Sequence, residues 1–293
     1  MNTSIIILTY NRKKELEENL TLLSRQNGIY EIIIVDNNST DNTESVVREL
    51  KSLHPIIKFY KLNSNRGVSG GRNFGVEKAK GDILFFIDDD ALLWPEDAIE
   101  RIHGKFLEEP DLGILAFKVL NFYSGEIQKN AFPHRLKSLN PDREFETSYF
   151  NGTGHAIRRE VFEKCGLYPE EYFYGMEELD LSFRALDKGY KIIYFPEVVI
   201  YHKKSPLGRV SDSRKWVYLF RNRLAVSYKY LNYWHLIVLS FIWFFKILFK
   251  SRSITVPIQG IKSFLDMKKE LKREPLKEIT FKRVKKLEGR LWY

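Results

Sequence analysis

The sequence predicts an α/β fold in which a parallel or mixed sheet is flanked by helices and followed by a helical, basic extension. Short apolar runs, many of them β-branched, alternate with segments of helical periodicity through residues 1–120, which is the pattern of βαβ units. The charge then changes sign: residues 1–202 hold 25 basic and 32 acidic residues, whereas residues 203–293 hold 22 and 6. We therefore expect a catalytic or binding body over 1–205 and a separate extension over 206–293.

The composition is that of an ordinary globular protein. Of the 293 residues, 44% are hydrophobic and 29% are charged, which excludes a disordered or collagen-like chain. Cys165 is the one cysteine in the sequence, so no internal disulfide can form. This usage fits a reducing compartment.

Five apolar runs have the length of strands that are buried on both faces. They cover residues 4–8, 31–35, 56–60, 83–87 and 114–119. Leucines recur at helical spacing between the first two runs, and Val46 and Val47 begin a similar pattern between the second and third. Asp41, with Glu44 three residues later, predicts the start of that second helix. Because strands and helices alternate, the strands are expected to be parallel.

The pattern loosens between residues 120 and 149, which are rich in Asn, Pro, Ser and charged side chains. This segment predicts either a mobile loop over a site or an irregular insertion. Regular structure is expected to resume beyond it, with helices at 159–164 and 176–188 and strands at 191–195 and 198–201.

Polar residues follow several predicted strands at the point where each strand ends. Thr9 and Asn11 follow the first strand, and Asp36 follows the second. Ligands of open α/β sheets bind at the carboxyl ends of the strands. A carboxylate such as Asp36 can accept the N3 proton of uracil or thymine, with Thr9 and Asn11 as neighbouring contacts. Taken alone, each of these residues is more typical of a turn than of a binding site.

Three consecutive aspartates follow the fourth strand. Alternate side chains of an extended chain share a face, so Asp88 and Asp90 are expected to converge while Asp89 points elsewhere. Adjacent carboxylates repel each other unless a cation, a proton or solvent relieves them. Mg²⁺ or Mn²⁺ bound to two carboxylates and to substrate phosphates is one solution. A solvated acidic turn is the alternative.

A glycine-rich turn with two arginines lies between the third and fourth strands, over residues 65–73. Asn65, Gly67 and Arg72 belong to it. Such a loop, together with a helix N-terminus and an arginine, can hold the negative charge of a nucleoside diphosphate. Glycine patterns by themselves are weak indicators of this chemistry.

Together these segments resemble the family 2 glycosyltransferases, which have the GT-A fold. The similarity lies in residues 7–12, 35–39, 65–75 and 81–90. The resemblance implies that an Asp-X-Asp motif binds the metal of a nucleotide-sugar, with Asp88 and Asp89 beside the nucleotide and Asp88 and Asp90 at the metal. It covers roughly the first 205 residues.

The later part of the chain carries three further similarities to that family. Residues 177–184 resemble its acidic helix start, in which Glu178 takes the place of the catalytic base, with Asp180 as the other candidate. His202 is similar in place to a histidine that completes the metal shell in galactofuranosyl- and rhamnosyltransferase-like members. Residues 216–223 resemble a stretch that follows the catalytic body in such members. Three of its side chains could contact an acceptor or a lipid phosphate, or could form a packing face: Tyr218, Phe220 and Arg221.

The resemblance implies an inverting transfer of sugar from a UDP- or dTDP-linked donor to a hydroxyl of a glycan or lipid-linked saccharide, with Mn²⁺ or Mg²⁺ as cofactor. Glu178 is one convincing base and no second nucleophile is evident, which favours a single displacement. Two alternatives stay open. One is transfer to polyprenyl phosphate, and the other is a non-catalytic binding subunit that kept the fold.

The extension contains an apolar segment at residues 233–249, in which His235, Ser240 and Lys246 are the exceptions. As a helix it would reach about 25 Å, against roughly 30 Å for a bilayer core, so it is expected to lie in the membrane interface. Residues 250–293 carry 13 basic and 5 acidic residues, a balance that favours anionic lipid over nucleic acid. With no secretory signal evident, we expect a cytoplasmic protein on the inner face of the cell membrane. Packing on the body or in a homodimer is the alternative for this helix.

Overall fold

The computed structural model describes residues 1–292 and contains one mixed sheet with helices on both faces. The strands are β1 Thr3–Thr9, β2 Ile29–Asp36, β3 Ile57–Lys61, β4 Ile83–Asp88, β5 Ala91–Trp94, β6 Leu112–Asn121, β7 Phe145–Thr147, β8 Gly154–Arg158 and β9 Lys191–His202. The helices are α1 Lys13–Leu23, α2 Thr43–Leu53, α3 Gly67–Lys78, α4 Ala98–Glu108, α5 Arg159–Cys165, α6 Glu177–Asp187, α7 Asp212–Tyr230, α8 Tyr233–Ser251, α9 Thr255–Lys268 and α10 Glu278–Lys286.

The strand order is β3-β2-β1-β4-β8-β6-β9-β5, with β7 paired to β9. The first four strands are parallel, as their apolar, β-branched runs predict. β8 runs antiparallel to β4 and β6, whereas β9 runs parallel to β6. The predicted parallel or mixed sheet flanked by helices is confirmed.

Register brings the ends of three parallel strands to one edge of the sheet. Thr9 pairs with Asp36 across β1 and β2, and Leu8 pairs with Asp88 across β1 and β4. The candidate site residues that follow these strands are therefore neighbours in space. The sheet positions the site through this register.

Two predicted strands, at residues 191–195 and 198–201, are one continuous strand, β9. Its pairing with β6 jumps from Phe195 to Val199, so the chain bulges over the three residues Pro196, Glu197 and Val198. A proline has no amide to donate to the ladder, which explains why the apolar pattern breaks there while the strand continues.

The segment predicted as a glycine-rich turn is mostly helix, because α3 begins at Gly67. A side chain at Gly71 would collide with Leu8, and one at Gly75 would collide with Ile6. The glycines therefore allow α3 to lie close against β1. Glycine is a poor helix former, so tertiary packing rather than propensity explains this helix.

Residues 120–149 form a packed insertion. Ala131 and Phe132 are buried, and β7 pairs with β9. Arg283 of α10 pairs with Glu146 of β7, so the C-terminal part holds this segment against the sheet.

The helices beyond residue 205 share the core of the sheet. Phe220 and Leu224 of α7 belong to the same apolar cluster as Ile6 of β1. The hydrophobic core is thus continuous across the boundary expected at 205/206. In the described part of the chain, α8 is the one helix that is long and apolar enough to cross a membrane.

Candidate active site

A cleft of about 460 Å³ lies at the edge of the sheet where β1 and β4 end. Its wall includes the polar side chains that follow these strands, the start of α6 and the end of β9. Most of the predicted site residues line it: Thr9, Asn65, Gly67, Arg72, Asp88, Asp89, Asp90, Glu178 and His202.

Asp88, Asp90 and His202 form a cluster able to hold a metal ion. One ligand atom from each lies within 4.8 Å of the others. Asp88 is the last residue of β4, whereas Asp89 and Asp90 form the turn into β5. The two carboxylates therefore converge because the chain turns, and not because it stays extended.

The pairing of β5 with β9 explains why His202 joins the carboxylates. Ala91 pairs with His202, and the amides of Lys203 and Ser205 donate to the backbone oxygen and the Oδ2 of Asp90. His202 is further oriented by Gln128, whose Oε1 lies 3.1 Å from Nδ1. Nε2 then faces Asp90, with 3.4 Å between Nε2 and Oδ1.

The chemistry of this cluster fits a divalent cation. Oδ1 of Asp90 is enclosed, and it accepts no hydrogen bond from the described residues. Burial raises the pKa of Asp88, which the charge of Arg72 opposes. Burial acts in the same direction on Asp90, but the contact with His202 and the charge of Arg12 lower its pKa overall. Two carboxylates and an imidazole form a donor set that suits Mn²⁺ or Mg²⁺.

Asp89 points away from the cluster, as predicted, and pairs with Arg12. The distance from Oδ1 of Asp89 to Nη1 of Arg12 is 2.7 Å. Burial raises the pKa of Asp89 to about 7 despite this arginine. Nη1 of Arg12 also lies 3.4 Å from Oδ1 of Asp90, so Arg12 braces the whole aspartate turn.

Arg72 connects the carboxylates of β4 with those of α6. Its Nη1 lies 3.1 Å from Oε1 of Glu178, and its Nη2 lies 3.5 Å from Oδ1 of Asp88. Nη2 also donates to the carbonyl of Gly152 at 2.8 Å. These contacts occupy the guanidinium with protein groups, so Arg72 orients the two acids across the cleft.

Glu177 and Glu178 begin α6 side by side. Glu177 is buried, its Oε2 has no hydrogen-bond partner among the described residues, and its Oε1 lies 3.6 Å from Nη1 of Arg72. Burial, followed by the charge of Glu178, raises the pKa of Glu177 to about 8. Glu177 therefore favours its protonated form at neutral pH.

Asp180 lies on the other face of α6, outside the cleft lining. It is fully buried and bound by Arg184, Lys229, Tyr172 and Tyr230. This enclosure weighs against Asp180 as the other candidate base, because its carboxylate is closed off from the cleft. The network instead ties α6 to α7.

Only some of the residues predicted to contact the nucleotide line the cleft. Asp36 accepts from the amide of Ser39, and its buried Oδ2 has no partner in the described chain. Asn11 and Asn65 are engaged in loop contacts: Asn11 accepts from the amide of Thr40, and Asn65 from that of Gly67. Asp36 and Asn11 do not line the described cleft.

The first two amides of α3, which the glycine-rich segment was predicted to offer to a phosphate, are engaged by protein groups: the amide of Gly67 donates to Asn65 and that of Val68 to Phe173. The carbonyl of Phe173 accepts from the amide of Val68 at 2.6 Å. Phe173 also covers Gly67, where a side chain would collide with it. The loop before α6 thus fills this helix terminus.

Phe220 and Arg221 have a packing role, which was one of the two predicted alternatives. Phe220 is buried, and Arg221 donates to the carbonyls of Glu171 and Tyr172. Tyr218 lies against the ring of Phe173 and under the guanidinium of Arg221. Asn222 donates to three carbonyls of the same loop, those of Tyr172, Tyr174 and Gly175. α7 therefore sets the loop that leads into Glu177.

Several residues that build the site were not identified from the sequence. Gln128 orients His202, Arg12 braces the aspartates, and Arg290 joins the cleft wall from the far end of the chain. Arg12 follows a predicted strand, which was a usable signal. Gln128 and Arg290 lie in segments without periodicity, so only the tertiary structure reveals them.

Comparison with known proteins agrees with this geometry. Residues 4–166 match the family described as glycosyl transferase family 2. The O-antigen chain rhamnosyltransferase RfbN of Salmonella typhimurium is 28% identical over 232 residues, which cover 73% of this chain and 70% of RfbN.

Solved structures show the same architecture. The mannosyltransferase PcManGT from Pyrobaculum calidifontis, in complex with GDP-Man and Mn²⁺, superposes with a TM-score of 0.58 at 24% identity, covering 76% of this chain and 61% of that one. Residues 1–349 of S. aureus TarS in complex with UDP-GlcNAc superpose with a TM-score of 0.58 at 20% identity, covering 77% and 66%. These neighbours have the GT-A fold, and so does this chain. The chain belongs to glycosyl transferase family 2 and is a glycosyltransferase.

Proposed function

We propose that this glycosyltransferase inverts the configuration of the transferred sugar in one displacement and delivers it to a hydroxyl of a glycan or a lipid-linked saccharide. One observation carries the proposal: Arg72 holds Glu178 and Asp88 at the two sides of one cleft. A base on one side and a metal-binding carboxylate on the other is the arrangement that a direct displacement needs.

Glu178 acts as the general base in this proposal. It accepts the proton of the acceptor hydroxyl while that oxygen attacks the anomeric carbon, so no covalent sugar–enzyme intermediate forms. Arg72 holds the carboxylate in place, and the proton kept by Glu177 limits repulsion between the two glutamates. Asp180 takes no part in the chemistry because its carboxylate is enclosed.

Asp88, Asp90 and His202 hold Mn²⁺ or Mg²⁺ in this proposal, with His202 oriented by Gln128. A divalent cation there supplies a Lewis acid that neutralises charge on the departing nucleoside diphosphate. Asp36, with an unpaired buried Oδ2, and the neighbouring Thr9 support a uracil or thymine base at the ends of β1 and β2. Arg12 and Asp89 keep the aspartate turn in shape.

A donor screen tests this assignment. The melting temperature of the purified chain is measured with Mn²⁺ and, in turn, UDP-, dTDP- and GDP-sugars. A donor that stabilises the chain is then used in transfer assays with glycan and lipid-linked acceptors. A UDP- or dTDP-sugar is expected to raise the melting temperature, and the product is expected to carry the opposite anomeric configuration. Retention of configuration, or a glycosyl phosphate product, would contradict the proposal.

The apolar face of α8 supports peripheral attachment to the inner face of the cell membrane. Its exposed side chains follow helical spacing: Trp234, Ile237, Phe241, Phe245 and Phe249. Lys250 lies in the last turn of α8, and the highly exposed Lys269 and Lys272 follow α9. An anionic bilayer complements both the apolar face and the basic surface, which favours lipid over a second copy of the chain.

Vesicle flotation tests the attachment. Binding is expected to phosphatidylcholine mixed with phosphatidylglycerol, to weaken with phosphatidylcholine alone, and to fall when Phe241 and Phe245 are both replaced by Ser. Leu53→Ser with Leu107→Ser is the matched control, because both leucines are exposed on other helices. A dimer in light scattering that the Phe241 and Phe245 changes dissociate would show that the face joins two copies instead.

A further inference from the structure

The cleft has a second charged wall, which the donor chemistry above does not use. Arg290 lines it together with Tyr149 and Phe150. The guanidinium carbon of Arg290 lies 4.2 Å from the centre of the Tyr149 ring. No carboxylate in the described chain pairs with this arginine, and its Nε is buried without a hydrogen-bond partner.

The backbone around Arg290 is firmly held. The amide of Gly289 donates to the carbonyl of Val284, and Arg223 donates to the carbonyls of Arg290 and Leu291. A side chain at Gly289 would collide with Ser148, so the absence of one lets this segment lie against the insertion. The position of Arg290 over Tyr149 is therefore built into the fold.

The surroundings of Arg290 are positively charged. The pKa of Lys137 is lowered to about 8 by burial of its ammonium group and then by repulsion from Arg290. Burial followed by the charges of Arg290 and Arg223 also lowers the pKa of Lys246, which belongs to α8. An arginine without an acidic partner among such neighbours favours an external anion.

The position of Arg290 in the cleft indicates whether the donor or the acceptor carries the anionic group. Tyr149 is three residues before Gly152, whose carbonyl Arg72 binds and whose Cα faces Glu178. The proposed base marks where the acceptor hydroxyl reacts, whereas Thr9 and the aspartates mark the donor side. Because the segment of Tyr149 leads directly to the glycine that faces the proposed base, Arg290 is assigned to the acceptor side.

We propose that Arg290 and Tyr149 form an acceptor subsite that binds an anionic group, a phosphate or a carboxylate, on the acceptor. The proposal rests on the proposed function, because it takes Glu178 as the base that faces the acceptor. The aromatic ring supports the guanidinium from one side, and the two remaining sets of N–H donors bind the anion. Proximity to Lys246 of α8 makes a lipid phosphate accessible from a membrane surface.

Binding measurements on the full chain in EDTA test the subsite, since chelation keeps phosphate from binding through a metal at the aspartates. The probes are geranyl phosphate, inorganic phosphate and methyl glucuronide, with geraniol and methyl glucoside as neutral counterparts. Arg290→Ala is expected to weaken binding of the preferred anion about tenfold, and Arg290→Lys is expected to restore most of it. Lys282→Ala, which removes an exposed charge on α10, is expected to bind like the unaltered chain.

The probes also separate the sources of the anion. Preference for geranyl phosphate over inorganic phosphate identifies a lipid phosphate, and preference for methyl glucuronide identifies an acidic sugar; either supports the subsite. Equal binding by the unaltered chain and Arg290→Ala, or no binding of any anion, would overturn it. Melting with donor and Mn²⁺ is measured in parallel. A chain that binds anions through Arg290 but no nucleotide-sugar would contradict the proposed function and leave the anion site standing.

Discussion

The guanidinium of Arg72 lies 3.1 Å from Glu178 and 3.5 Å from Asp88, and so fixes the spacing of two carboxylates that are 90 residues apart in sequence. Its side chain is 7% exposed, so water screens these contacts weakly. Both acids keep the guanidinium charged, since their negative charges raise the pKa of Arg72 further above its ordinary value despite burial. The distance between Glu178, the proposed base, and Asp88, the proposed metal ligand, is therefore set by the rigid guanidinium of Arg72.

Arg72→Lys is expected to lower kcat about 100-fold while changing the KM for donor little, because a single ammonium cannot hold both carboxylates. Steady-state kinetics measure the two constants. Arg66→Lys is the matched control, since Arg66 forms an exposed pair with Glu170. A kcat within threefold of the unaltered enzyme would show that Arg72 does not position the acids.

Glu178→Gln is expected to reduce transfer by roughly 100-fold or more, because the amide cannot accept a proton from the acceptor. The melting temperature should stay near that of the unaltered chain, since the amide keeps the shape of the side chain. Product formation and thermal melting are measured on the same preparation. Near-normal turnover would remove Glu178 from the base role.

Asp180→Asn is expected to show the opposite pattern, with a large loss of stability. The change leaves Lys229 and Arg184 without their buried partner, a class of change that costs about 3–5 kcal/mol, or roughly 10 °C in melting temperature. Melting curves measure the loss. An unchanged melting temperature together with abolished transfer would restore Asp180 as a catalytic candidate.

Chelation is expected to stop transfer, and Mn²⁺ or Mg²⁺ is expected to restore it. Asp90→Asn should weaken the response to metal, because it removes one charge from the cluster of Asp88, Asp90 and His202. Activity is titrated against free metal in each protein. Full activity in EDTA would show that this cluster needs no cation.

Glu177→Gln is expected to make stability less dependent on pH. Burial, and then Glu178, raise the pKa of Glu177 from its ordinary 4.5 to about 8. Between these values the unfolded chain holds fewer protons than the native one, so stability falls as pH rises. The variant should therefore melt a few degrees above the unaltered chain at pH 8 and close to it near pH 4.5. Melting is recorded in EDTA across this interval.

Glu171→Gln is the control for the pH experiment. Glu171 is an exposed residue near the same helix, and its carboxylate forms no hydrogen bond or close ion pair in the described part of the chain. It should leave the pH dependence unchanged. Parallel pH curves for Glu177→Gln and the unaltered chain would mean that Glu177 ionises normally in the fold.

The local pattern was sufficient to predict the parallel strands β1 to β4 and β6 and the meeting of acidic residues at their ends, but not β5, β7 or β8. Apolar runs ending in Thr9, Asp36 and Asp88 predicted strands whose ends meet, and register confirms this. The convergence of Asp88 with Asp90 was predicted from extended backbone, whereas a turn and the β5–β9 pairing produce it.

Features that depend on distant contacts left no local signal. Gln128 is one polar residue in an irregular segment, and only its place beside His202 gives it a role. The helical state of residues 67–78 was hidden for a related reason: glycines that disfavour a helix alone are needed where α3 meets β1.

The position of β9 has a consequence for biosynthesis. β9 contributes His202 and pairs with β5, β6 and β7, yet it is made after the first 190 residues. A nascent chain that has emerged only through β8 contains the aspartate turn but lacks His202 and lacks α6, which carries Glu178. If His202 and Glu178 have the proposed roles, ribosome-bound chains of that length are expected not to consume donor, and activity is expected only once the last strand has joined the sheet.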